Sequence, residues 1–110
     1  MDICFIGGGN MASALIGGLV AQGFDASRIR VVDVSSETRD SLQARYPVQT
    51  FAAAGAEAVA GAVIVLAVKP QQLREVAATL APLLHQQLVI SIAAGVRAAD
   101  LSRWLGGYRQ

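Results

Sequence analysis

Ile3-Cys4-Phe5-Ile6-Gly7-Gly8-Gly9-Asn10-Met11-Ala12 is the stretch that decides the fold. An apolar strand ends in glycines and turns straight into a helix. The spacing is G-x-G-x-x-A, with Gly7, Gly9 and Ala12 in the special positions, and each position has a physical reason. Gly7 permits the tight turn out of the strand. Gly9 has no side chain, so a pyrophosphate can approach the backbone. Ala12 is small enough for the helix to pack close to the strand. That helix aims its first amide N–H groups and its positive dipole end at the turn, where phosphates are held. Ile6, Gly7, Gly8, Gly9, Asn10 and Met11 are therefore the first candidate binding residues.

Outward from this turn the chain alternates strands and helices. Strand 1 is expected over residues 2–6 and helix A over 10–22, with Gly23 at its C-terminal end. Strand 2 is expected over 30–34, followed by a helix B that Ser36 caps and that runs to about residue 45. Tyr46-Pro47 ends that helix, because proline cannot continue it. A short strand 3 is expected over 48–51 and a short alanine-rich helix C over 54–60. Residues 62–68 read Ala-Val-Ile-Val-Leu-Ala-Val, with no polar alternation. Such a run fits a central parallel strand buried on both faces. Pro70 opens helix D, strand 5 is expected over 88–92, and a last helix over about 98–105. The prediction is an α/β domain: a doubly wound parallel sheet of about five strands, order 3-2-1-4-5, with helices on both faces. No sixth strand follows, so strand 5 would carry an uncovered edge, which natural proteins avoid. A piece of a longer protein is the resulting expectation.

Composition narrows the class. The 110 residues are 54% hydrophobic and 15% charged, with a net charge of +1, as a packed single domain requires. Lys69 is the sole lysine, and no basic block points to nucleic acid. One cysteine, Cys4, excludes an internal disulfide and fits a reducing cytoplasm. The apolar runs are too short to cross a bilayer, and the N-terminus lacks the charged region of a signal peptide. There is no catalytic triad, paired-carboxylate site or metal-ligand spacing.

In a sheet of this type ligands bind beyond the carboxyl ends of the strands, where strands 1 and 4 diverge. After strand 2 comes Asp33, placed to accept hydrogen bonds from an adenosine ribose diol and to repel a 2′-phosphate. Ser35, Ser36 and Arg39 beside it are potential phosphate donors, so the two signals oppose each other; a merely solvated Asp33 is the bland alternative. After strand 4 come Ala67, Val68, Lys69 and Pro70, with the backbone as a floor for ribose and nicotinamide. After strand 5, Ala93, Ala94 and Gly95 are small enough to leave room for a flat ring, or to let a helix pack closely. His85 reads as solvated, Cys4 as inert core, and Trp104 and Leu105 as an apolar helix face. Glu37, Arg39, Asp40 and Arg45 read as an exposed helix face.

Phe-Ile-Gly-Gly-Gly-Asn-Met-Ala at 5–12, Leu-Ala-Val-Lys-Pro at 66–70 and Ser-Ile-Ala-Ala-Gly-Val at 91–96 resemble pyrroline-5-carboxylate reductase. The resemblance covers essentially the whole chain, but only the N-terminal, Rossmann-type part of that enzyme. It implies NADP or NAD as cofactor and reduction of 1-pyrroline-5-carboxylate to L-proline. It places the pyrophosphate over residues 6–11, the ribose and nicotinamide between residues 67–70 and 93–95, and the adenosine ribose near Asp33 to Ser36. Two departures bear on this. Asp33 replaces the small or polar residue of NADPH-preferring members, and Ala54 replaces an asparagine that touches the cofactor in some members. Members continue into a helical domain that dimerises and forms much of the pocket for the small imine substrate. The expectation is thus a cofactor domain over residues 1–110 with no catalytic residue of its own, little activity alone, and homo-oligomers only with that further domain. The alternatives are a β-hydroxyacid-type dehydrogenase and a non-enzymatic nucleotide-sensing module. The first tends to carry Gly-Leu-Gly-x-Met-Gly at the turn, which this chain lacks.

Overall fold

The computed structural model describes residues 2–61, 63–84 and 87–92. Its elements are β1 (Ile3–Ile6), α1 (Asn10–Ala21), β2 (Ile29–Val32), α2 (Ser36–Arg45), β3 (Gln49–Phe51), β4 (Val63–Leu66), α3 (Pro70–Leu80) and β5 (Leu88–Ser91). Short 3-10 turns at Ala26–Arg28 and Ala81–Leu83 lead out of the connections. The five strands form one parallel sheet in the order β3-β2-β1-β4-β5, as the alternation of elements predicts. β1 lies at its centre, with Ile6 in register with Val32 on one side and Leu66 on the other.

The apolar strands show no alternation in sequence because both faces are covered. Ile3 and Phe5 point into a core with Leu15, Ile16 and Leu19 of α1 and Leu42 of α2. Cys4 and Ile6 point the other way, against Ala58, Val59, Ile64 and Leu80. Right-handed crossovers from β1 to β2 and from β2 to β3 step in the same direction, so α1 and α2 share a face. The crossover from β4 to β5 steps in the opposite direction and puts α3 on the other face. Burial raises the Cys4 thiol to about 12, only partly countered by the positive Arg30. Cys4 is an inert core residue, as expected.

Helix ends follow local chemistry. α1 stops at Gly23, which takes φ +98°. Its N–H donates to the Val20 carbonyl and that of Phe24 to the Leu19 carbonyl, a Schellman pair. Asp25 then folds the chain toward β2. Its carboxylate accepts from the Ser27 hydroxyl and amide, which together lower its pKa below the usual 3.8.

Four expectations about the elements need correction. The helix placed over 54–60 does not form; residues 56–59 are turn. Seven residues, with Gly55 among them and Gly61 directly after, gain too few intrahelical bonds to offset nucleation. The carbonyls at the end of the segment are satisfied by groups outside it: Ala60 accepts from Arg30, and Val59 from Gln87 and the Gly61 amide. Strand 2 ends at Val32 rather than residue 34, and Val34 stands 88% exposed. The cap of α2 is consequently Ser35, whose hydroxyl accepts from the Thr38 amide at 3.2 Å, and not Ser36. β4 covers Val63–Leu66, shorter than the apolar run, although the Ala67 amide still donates to the Ile6 carbonyl. His85, Trp104, Leu105 and the helix expected over 98–105 lie outside the described residues.

Candidate functional site

The strand ends converge on the glycine turn, and each glycine has a different neighbourhood. Gly7 adopts φ +104°, and a Cβ there would stand 2.7 Å from the Ala67 carbonyl oxygen. Its amide donates to the Val32 carbonyl at 2.7 Å, so the turn is tied to both flanking strands. Gly8 is buried under α2: a Cβ would meet Leu42, Thr38 and Val31 at 2.9, 3.1 and 3.1 Å. At Gly9 a Cβ would meet nothing within 4 Å. The sequence motif gives reasons for Gly7 and Gly9; the demand that α2 places on Gly8 comes from packing and is invisible to the motif. Ala12 is fully buried in the core, which is the close helix–sheet approach expected of it.

α1 starts at Asn10 with Gly9 as its N-cap, without a side-chain cap and without an acidic residue in its first turn. Gly9, Asn10 and Met11 are exposed, Met11 to 42%. An open cleft of about 280 Å³ begins at Gly8, Gly9 and Asn10 and runs between α1 and α2 past Ser13, Ser35 and Arg45. The turn therefore presents uncapped helix-terminal amides to an accessible space, an arrangement suited to an anion.

Asp33 is not free in solvent. Its Oδ2 accepts from the Gly8 amide at 2.8 Å and its Oδ1 from the Ser35 amide at 2.9 Å. Its own amide donates to the Phe51 carbonyl, and its carbonyl accepts from Arg39 Nη1 at 2.7 Å. Arg39, expected on an exposed face or facing a phosphate, is half-buried against this backbone. Arg45 is likewise engaged, donating to Ser13 Oγ at 3.0 Å and lying over the Tyr46 ring.

Ala67 and Val68 are half-buried beside the turn. Lys69 is exposed and precedes α3, which Pro70 opens as expected. The Lys69 amide donates to Gln72 Oε1 at 3.4 Å. Ile6, Gly7, Gly8, Gly9, Asn10, Met11, Asp33, Ser35, Ala67, Val68, Lys69 and Pro70 all gather at or beside the carboxyl ends of β1, β2 and β4. Ala93, Ala94 and Gly95 lie outside the described residues. Among the described residues no cluster of three or more His, Cys, Asp or Glu is placed to hold a metal, and no helix is long and apolar enough to cross a membrane.

Comparison with known proteins agrees with this geometry. Residues 2–95 match the family described as NADP oxidoreductase coenzyme F420-dependent. The chain is 49% identical over 106 residues to a pyrroline-5-carboxylate reductase of Pseudomonas aeruginosa, covering 94% of this chain and 38% of that protein. It is 42% identical over 114 residues to the Pasteurella multocida enzyme of the same name, covering 99% of this chain and 41% of the relative. A solved pyrroline-5-carboxylate reductase from Coxiella burnetii superimposes with a TM-score of 0.78 at 40% identity, over 96% of this chain and 40% of that one. The chain thus spans about two-fifths of the length of these relatives. Strand order, glycine turn and sequence agree, and the chain belongs to the NADP oxidoreductase, coenzyme F420-dependent family.

Proposed function

We propose that this chain is the cofactor-binding domain of an enzyme that reduces 1-pyrroline-5-carboxylate to L-proline with NADPH or NADH. The observation that carries the reading is the turn at Gly7, Gly8 and Gly9. Its first two glycines are locked by neighbours, while the third faces open space at the uncapped start of α1. A dinucleotide fits there: the space a Cβ would fill at Gly9 is free for a pyrophosphate, and the α1 amides supply donors. The likeness to pyrroline-5-carboxylate reductases at 42–49% identity supports the choice of reaction.

Within this reading, Ile6 to Met11 hold the pyrophosphate. Asp33 and Ser35 face the adenosine ribose, and Ala67, Val68, Lys69 and Pro70 floor the second ribose and the nicotinamide. Ala93, Ala94 and Gly95 complete that floor. The bound coenzyme supplies the hydride, and the chain's own residues bind and orient it. The imine-binding groups and the dimer contacts belong to a separate helical domain, in keeping with the two-fifths of the relatives' length that this chain spans. The enzyme acts in the cytoplasm, on a small imine rather than on nucleic acid or membrane.

Calorimetric titration of the 110-residue chain with NADH and with NADPH tests the binding half. Heat of binding with at least one coenzyme is expected, and silence with both rejects it. The reaction is tested by assaying a protein that joins this domain to its helical partner on 1-pyrroline-5-carboxylate. Coenzyme binding without turnover of the imine would reject the substrate.

A further inference from the structure

Asp33 makes two contacts that a ribose-reading carboxylate does not need. Twenty-five residues separate it from Gly8, yet its Oδ2 accepts the Gly8 amide at 2.8 Å. Its Oδ1 accepts the Ser35 amide at 2.9 Å, at the cap of α2. The residue itself is anchored at both ends of its backbone, through Phe51 and Arg39. One carboxylate therefore bridges the turn after β1 to the turn after β2. Gly8 is held from its other side by Leu42, Thr38 and Val31.

From this geometry we infer that Asp33 is a positioning residue for the glycine turn, serving NADH and NADPH alike by fixing the amides that face the pyrophosphate. The inference rests on the coenzyme-binding reading above. Its physical basis is twofold. A charged acceptor holds a backbone amide more strongly than a neutral one. A turn fixed before the ligand arrives loses less conformational freedom on binding. Each carboxylate oxygen keeps a second lone-pair direction, so contact with a ribose hydroxyl adds to this role without replacing it.

The two roles predict opposite signs for one coenzyme. If Asp33 only reads the ribose, Asp33→Asn removes a charge that repels the 2′-phosphate, so NADPH binds as well or better while NADH weakens. If Asp33 positions the turn, NADH and NADPH both weaken, each by roughly fivefold or more, because asparagine offers one acceptor for two amides. Asp33→Glu keeps the charge but not the span, and both coenzymes weaken again. The experiment is calorimetric titration of wild type and both variants, with circular dichroism to verify folding. It is paired with NMR of the unmutated chain for scalar coupling across the hydrogen bond from the Gly8 nitrogen to the Asp33 carboxylate carbon.

Parallel losses for both coenzymes, with the coupling present, support the inference. Retained or tighter NADPH binding in a folded Asp33→Asn chain overturns it, as does absence of the coupling. If neither variant folds, the coupling decides. If the wild type binds neither coenzyme, the binding reading fails, and the coupling still reports whether Asp33 holds the turn.

Discussion

The carbonyl oxygen of Ala67 lies 2.7 Å from the point where Gly7 would carry a Cβ. Gly7 also sits at φ +104°, a conformation that L side chains rarely adopt. Backbone strain and a clash with immovable backbone therefore coincide at one residue. Gly7→Ala is expected to destabilise the fold by roughly 2–4 kcal/mol, combining left-handed strain with steric displacement. Urea unfolding measures it as a lower midpoint. An unchanged midpoint would show that β4 can move away from the turn.

Gly9 is the contrasting case. It has φ −72° and ψ −163°, open to any residue, with nothing near its missing Cβ. It is also the uncapped N-cap of α1. Gly9→Ser should let a hydroxyl cap the helix and raise stability by roughly 0.3 kcal/mol. The same side chain would occupy the approach of the pyrophosphate, so coenzyme affinity should fall roughly tenfold or more. Thermal unfolding and titration read the two effects separately. Equal affinity in Gly9→Ser and wild type would remove Gly9 from the binding surface.

Cys4 gives a pH prediction with a definite sign. Burial raises its thiol pKa in the folded chain to about 12, from an ordinary 9.0. The folded state thus holds the proton more tightly than the unfolded state. The corresponding stability is complete below pH 9.0 and is lost as pH rises from there toward about 12. The stability difference between wild type and Cys4→Ala, measured by denaturant titration, should shrink steadily across that window. At pH 8 a disulfide reagent should modify Cys4 only as fast as the chain opens, and rapid labelling of the native protein would contradict the burial.

The glycine turn is legible in the sequence because it is local. An apolar run closed by glycines needs only neighbouring residues to be read, and the strand order follows from the doubly wound fold that the turn signals. The short helix over 54–60 misled because alanine content is a statement about propensity. What decided that segment was its length and its glycines: seven residues, Gly55 among them, make too few intrahelical bonds to offset nucleation. The shift of the cap from Ser36 to Ser35 has a separate cause. The end of β2 is set by its pairing with Ile6, and spacing along the chain cannot show that. Asp33 stands just beyond the carboxyl end of β2, and neither reading of it, ribose ligand or solvated charge, includes the contact to Gly8. Hydrogen bonds between distant turns leave no periodic signature.

Gly8 and Leu42 show how the turn and α2 depend on each other. A Cβ on Gly8 would stand 2.9 Å from Leu42 Cδ1 and 3.1 Å from Thr38 Cγ2 and Val31 Cγ1. These are side-chain ends, so α2 must yield rather than the backbone of β1. Gly8→Ala alone should cost about 1–3 kcal/mol as an overpacking change. Leu42 is 2% exposed in the core beneath α2, and Leu42→Ala alone should cost about 2–5 kcal/mol by leaving a cavity. In the double variant the new methyl enters space that Leu42 vacates. The combined loss should therefore fall short of the sum by more than about 0.5 kcal/mol, the level at which contacting residues show coupling. Denaturant unfolding of all four chains closes the cycle. Strict additivity would mean that the turn relaxes independently of α2, and that Leu42 is not what demands a glycine at position 8.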